Sequence, residues 1–179
     1  MDGETRRRTA PAFGRGEMGP RVLAHDWAAT PLGPIAGWPA TLRVATEFCL
    51  GALQPVYVAW GPQQTSLYND GYIPILGDKH PRALGAPYAE VWPEIAAEFQ
   101  PVVEAIMAGE AVHAVDRPVP LGGGQGRPMS WFTFSWTPLR DDRGEVAGFY
   151  CAATETTERV LAEQALQESE ERFRRLVEG

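Results

Sequence analysis

Residues 129–139 read MSWFTFSWTPL, and this stretch decides the fold. Phe132, Phe134 and Trp136 fall on one side by two-residue alternation, and Trp131, Thr133, Ser135 and Thr137 on the other. Alternation over that length predicts a long β-strand. The first set is the more apolar, so it is expected to face a core. Immediately downstream, Asp141, Asp142, Arg143 and Gly144 supply turn chemistry. Residues 145–154, EVAGFYCAAT, then predict a partner strand, and a charged run to Gly179 predicts a helix leaving the domain.

Upstream of this hairpin, residues 111–121 predict a further strand. Its Pro118 and Pro120 argue for a sheet edge or a departure from the sheet, because proline cannot donate to a ladder. The intervening GGGQG at 122–126 predicts a hairpin tip. It neither opens a helix as G-x-G-x-x-G nor leads to Lys-Ser/Thr, so it is not read as a phosphate cradle. Residues 55–60 (PVYVAW) and 65–68 (TSLY) predict two earlier strands, the first apolar on both faces and therefore covered.

The helical signals lie between and before these strands. Residues 93–107 carry a core stripe of Ile95, Phe99, Val102, Val103 and Ile106, with Pro101 as a possible kink. Residues 72–76, 80–84 and 88–92 predict short helical pieces. Pro39 suits the first turn of a helix running to Leu53, with Leu42, Ala45, Thr46, Cys49 and Leu53 on its apolar face. Residues 21–29 predict a helical turn, residues 30–39 a Pro/Gly loop, and residues 1–20 a tail without periodicity. The class is α+β: a five-stranded antiparallel sheet with helices packed on one face, a helical extension (21–54) before it and a helix (160–179) after it.

The 179 residues suit one domain plus appendages. Six Trp, five Tyr and seven Phe provide for an aromatic core. The net charge of −7 disfavours a nucleic-acid or anionic-membrane partner. Arg6, Arg7 and Arg8 run against that balance but sit among Gly and Pro, as in a solvated tail. No run approaches the ~18 apolar residues of a membrane span, and the polar N-terminus lacks a signal-peptide pattern. A cytoplasmic location is expected. Cys49 and Cys151 are far apart and in no CxxC spacing, which argues against a disulfide framework or zinc site. His25, His80 and His113 have no ligand spacing, and no nucleophile–base pattern surrounds Ser130 or Ser135. No catalytic or metal-ligating residue is therefore assigned. An aromatic pocket is the remaining chemistry: Phe132, Phe134 and Trp136 as walls, Cys151 beside them, and Tyr68, Tyr72 and Trp92 as polar-tipped neighbours. The same aromatics can equally fill a solid core.

The order of elements and four local features together resemble a PAS sensor domain. Leu67-Tyr68-Asn69-Asp70 is similar to the end of its second strand. Trp131–Ser135 with Pro138-Leu139-Arg140-Asp141 and Gly144 is similar to its fourth strand and following turn. Residues 145–153 resemble its fifth strand. Glu155-Thr156-Thr157-Glu158-Arg159 resembles the motif in which an acid and an arginine tie the sheet to an output helix, with Glu155 replacing the usual Asp and Thr156 an apolar residue. Residues 32–43, with Ala59-Trp60-Gly61 and Tyr68-Asn69-Asp70, are similar to an N-terminal PAS subclass of bacterial sensor histidine kinases. The resemblance covers residues 32–159.

It implies a sensory input module of a two-component protein, relaying a ligand or partner signal through Glu155, Thr157 and Arg159. A ligand-free dimerisation scaffold is the alternative. It also implies a PAS domain over 55–159, a non-catalytic chain, a kinase or further PAS domain downstream, and a homodimer through the N-terminal helix and a C-terminal coiled coil. Ala162, Leu166, Ser169, Phe173 and Leu176 alternate in steps of four and three, as such a coil requires, although a surface helix of the same domain would also fit. Cysteinyl-flavin binding is not expected, since the central helical region has no cysteine. Haem is not expected either, since residues 93–107 have no histidine.

Overall fold

The computed structural model describes residues 16–121 and 129–178. Five strands form one antiparallel sheet in the order β2-β1-β5-β4-β3. They are β1 (Val56–Trp60), β2 (Thr65–Tyr68), β3 (Val112–Val119), β4 (Ser130–Arg140) and β5 (Val146–Glu155). Each predicted strand is present within a few residues. Every residue of β1 is buried, as its two-sided apolar sequence predicts. The proline-bearing β3 takes the edge.

Register fixes which side chains share a face. Tyr57 pairs with Cys151, and Cys151 with Trp136, so all three project to the same side. That inner face carries α3 (Ile73–Leu76), α4 (Tyr88–Val91) and α5 (Ala96–Met107), preceded by a helical turn at Asp70–Tyr72. Phe99, Val102, Val103 and Ile106 of α5 are buried, and the helix continues through Pro101. Phe132, Phe134 and Trp136 are buried, whereas Ser135 and Thr137 are exposed, so β4 presents the face expected of it.

At the centre of the sheet, Gly148 opposes Trp60. A Cβ at Gly148 would collide with the backbone of Ala59 and Trp60, so only glycine permits this approach of β5 to β1. The β4–β5 turn is held by the Asp141 carboxylate. It accepts from the backbone N–H groups of Arg143 (2.8 Å) and Glu145 (3.0 Å), and Gly144 takes φ +82°.

Two further helices precede the sheet: α1 (Met18–Ala24) and α2 (Ala40–Gly51). α2 buries Leu42, Ala45, Thr46 and Cys49, as its spacing predicts. The helix stops at Gly51, and Leu53, expected on its apolar face, is almost fully exposed. α2 lies over part of the outer face, where Tyr150 borders Glu47, Phe48, Gly51 and Ala52. The tail expected through Pro20 instead gives way to α1, with Met18 and Val22 fully buried. A distant residue explains this start: the Asp70 carboxylate accepts from the N–H groups of Glu17 and Met18, both at 2.8 Å. The arginines at 6–8 and the glycine run at 122–126 lie outside the described residues. The chain leaves the sheet through α6 (Thr157–Glu178), exposed from Leu161 to Val177. No described helix is long and apolar enough to cross a membrane.

Candidate functional site

The inner face and the helices over it line a half-open aromatic cavity of about 50 Å³. Its walls are built in three steps. The strand alternation brings Phe132, Phe134 and Trp136 inward and sets Cys151 and Ala153 beside them. The turn after β2 delivers Tyr72, and Pro87 starts α4 so that Tyr88 points back at the sheet. Phe99 of α5 closes the far side, stacked on Trp136 at 5.9 Å. Trp136 also stacks on Phe149 at 4.6 Å, which fixes its ring plane. Trp92 is held from outside by Lys79, whose ammonium lies 5.2 Å from the ring centroid and donates to the Val91 carbonyl at 2.7 Å.

Six of the seven pocket residues expected from sequence converge here: Tyr72, Trp92, Phe132, Phe134, Trp136 and Cys151. Tyr68 does not. Its hydroxyl meets His80 Nδ1 at 2.9 Å, while His80 Nε2 meets Glu17 Oε1 at 2.9 Å. Tyr68 therefore serves the docking of α1. Burial pushes its phenol pKa up to about 12. The Glu17 carboxyl is held below its ordinary range, first by the His80 hydrogen bond and then by that of Arg21. Sequence reasoning missed Tyr57 and Tyr88. Tyr57 lay in a run too uniformly apolar to show a facing, and Tyr88 in a helix too short for periodicity.

The cavity's polar groups are neutral. Burial raises the Tyr57, Tyr72 and Tyr88 phenols and the Cys151 thiol well above their ordinary values. The Tyr57 hydroxyl is engaged with Ser66 Oγ. Cys49 lies away from the cavity on α2, its thiol raised by burial, 3.7 Å from the Val56 carbonyl. None of the three histidines lines the cavity. Among the described residues, no group of three His, Cys, Asp or Glu is placed to hold a metal ion.

At the other end of β4 and β5 the sheet passes into α6. The backbone N–H of Trp131 donates to Thr157 Oγ1 at 2.9 Å, and the Thr157 hydroxyl donates to Glu155 at 2.8 Å. Thr157 is buried, so this junction links the start of β4 to the root of the helix. The expected Glu155–Arg159 tie is not made. Arg159 instead pairs with Asp116 of β3 and with Glu163 one turn along α6. The reason is local geometry. A register shift between Ala114 and Arg117 bulges β3, and Asp116 adopts φ +49°, which aims its carboxylate at the helix. The Thr157 hydroxyl meanwhile occupies the Glu155 carboxylate. The Arg159 hydrogen bond is the first cause that holds the Asp116 carboxyl below its ordinary range, and the same pairing raises Arg159.

Among curated proteins no sequence matches the chain. Solved structures do. An RNA-binding light-oxygen-voltage receptor aligns with TM-score 0.53 at 23% identity, covering 82% of this chain and 42% of that one. The phage VqmA–DPO complex aligns with TM-score 0.52 at 24% identity, covering 72% and 59%. The PAS domain of Bordetella pertussis BvgS aligns with TM-score 0.50 at 26% identity, covering 68% and 90%. The chain thus spans about half the length of the first two structures. The family model described as PAS fold matches residues 56–161, which begins at β1 and ends in the first turn of α6. With its sheet order, its inner aromatic cavity and more than half its length accounted for by that match, the chain belongs to the PAS family of sensory domains.

Proposed function

We propose that the chain is the sensory input module of a bacterial two-component protein, passing a ligand or partner signal through α6 to a downstream histidine kinase. One observation carries the reading: β4 both walls the cavity, through Phe132, Phe134 and Trp136, and roots α6, through the Trp131–Thr157 hydrogen bond. A ligand that shifts β4 acts on the helix without any intervening loop. A helix on such a root is a two-state element of the kind signalling requires. In this reading residues 55–159 are the sensor, 21–54 an N-terminal extension, and 160–179 a signalling helix into a further domain. Glu155, Thr157 and Arg159 relay the change.

A homodimer is part of the proposal. Val44 and Phe48, one turn apart on α2, are 50% and 70% exposed. On α6, Leu166, Phe173 and Leu176 are exposed along the seam that also carries Ala162 and Ser169. Both faces suit a second copy. The net charge of −7 favours protein partners over nucleic acid; RNA binding is a property of the larger receptor whose fold is shared. PAS domains in general sense and do not catalyse, so the enzymatic step belongs to the parent protein, placed here in the cytoplasm.

The small cavity volume favours a second reading, a ligand-free dimerisation scaffold. Native mass spectrometry with an absorption spectrum separates the two by reporting bound compound and oligomeric state together. For the relay, Glu155→Ala in the full-length protein is expected to leave the fold intact and uncouple output. Unaltered signalling in that variant would defeat the relay.

A further inference from the structure

The cavity's chemistry restricts what can occupy it. Among the described lining residues none is Asp, Glu, Lys, Arg or His. An ion entering would lose its hydration and meet no counter-charge, which is strongly unfavourable. The walls are aromatic faces, with Phe99 and Trp136 stacked and Phe134 tilted at 6.1 Å from Trp136. One polar group of the described lining is both fully enclosed and unpartnered. The Tyr88 hydroxyl is buried and has no hydrogen-bond partner among the described residues, although its ring sits within 6.3 Å of Tyr57, Trp136 and Phe149. Buried hydroxyls are almost always paired, so an orphan on a cavity-lining residue marks where a partner atom belongs once the walls move. Tyr57 cannot take this role, its hydroxyl being engaged with Ser66.

Size sets the other limit. About 50 Å³ exceeds what one water needs and falls well short of the ~150 Å³ that holds benzene in an engineered apolar cavity. A six-membered ring enters only if wall residues move. Ile75 and Leu121 are half-buried and give first; the stacked sheet aromatics, all buried, give only together with their strands.

We infer that the cavity takes an uncharged compound no larger than a single ring, bearing one hydrogen-bonding atom that the Tyr88 hydroxyl engages. This rests on reading the cavity as a ligand site. Because the ring overfills the cavity about threefold, binding displaces its walls, and the cavity senses occupancy by being too small for its occupant.

The test uses three probes of similar ring size on the full chain and on Tyr88→Phe: pyrimidine, benzene and benzoate, followed by ligand-observed NMR and calorimetry. Tyr88→Phe preserves the ring and removes only the orphan hydroxyl, and a thermal melt verifies that it folds. Pyrimidine and benzene are expected to bind, with magnetisation-transfer contacts to Phe134 and Trp136, and benzoate is expected to be rejected. The pyrimidine-to-benzene affinity ratio is expected to fall about 3- to 10-fold in Tyr88→Phe, the size of one net hydrogen bond. An unchanged ratio, or benzoate competing with pyrimidine, overturns the inference while leaving a ligand site. Failure of all three probes to bind either protein overturns the ligand-site reading as well.

Discussion

The inner face of the sheet and the root of α6 are built on opposite principles. The inner face is redundant: Trp136 alone touches Phe99, Phe134, Phe149 and Tyr88 through its ring, all of them buried. The helix root is sparse. It depends on one buried threonine hydroxyl, a buried Val160 and an exposed arginine shared between two acids. Dense apolar packing resists change and stores stability, because close-packed interiors deform little. A few polar contacts can switch between arrangements at small cost. A sensor needs both, a stiff wall to be pushed and a soft joint to respond.

Mutations should separate these roles by magnitude. The largest loss is expected from Trp136→Ala, about 3–5 kcal/mol in denaturant melts, as for other buried aromatic truncations. A loss close to zero would mean that the wall is not the stabilising element and that the contrast with the helix root is false.

Asn69→Ala comes next and tests whether dense packing must be apolar. The Asn69 side chain accepts from the Val56 N–H at 2.9 Å and donates to the Ala52 and Gln54 carbonyls at 2.9 and 2.8 Å. It is buried and stitches the end of β2 to the chain entering β1. Removing it strands a buried N–H and two carbonyls, for an expected loss of about 2–3 kcal/mol in the same melts. A loss below that of an ordinary surface substitution would show that water replaces these bonds freely.

Tyr88→Phe should carry the opposite sign. Its hydroxyl is buried without a partner, so deleting it is expected to stabilise the unliganded protein by about 1 kcal/mol. A lower melting temperature would show that the hydroxyl is satisfied in solution, and the inner face would then be as complete as it looks.

How far the sequence revealed this contrast differs between the two regions. The inner face was legible because strand alternation is periodic: one stretch, 129–139, shows its facing without any knowledge of its partners. The helix root was legible only in part. Thr157 and Arg159 stood out through the family motif, but Asp116 did not. Its role depends on a bulge and a positive φ that no two-residue period encodes, although aspartate tolerates that backbone better than most residues. The same holds for α1. Glu17 and Met18 looked like tail among Gly and Pro, because the cap that starts the helix comes from Asp70, some fifty residues away. Tyr68 was misplaced for a related reason: its hydroxyl answers to His80, not to the face that its strand shares with the cavity.

The smallest expected effect lies at the softest point and is read by pH. Because the Asp116 carboxyl is held below its ordinary range by Arg159, the folded junction binds fewer protons than the undocked one. The docking it supports is therefore fully present above the ordinary Asp pKa, about 3.9, and is lost as pH falls through the lower folded value. Protection of the Val160 amide, which donates to Thr156 at 3.0 Å in the first turn of α6, reports the docking. In the native sequence this protection should hold from neutral pH down to about pH 4 and drop only below it. In Asp116→Asn it should be lower throughout and lack the acid step, with the global melt little changed, since both side chains are substantially exposed. If the two proteins trace the same curve, Arg159 is held by Glu163 alone, the bulge in β3 has no part in the joint, and the soft element of the molecule reduces to the Thr157 hydroxyl.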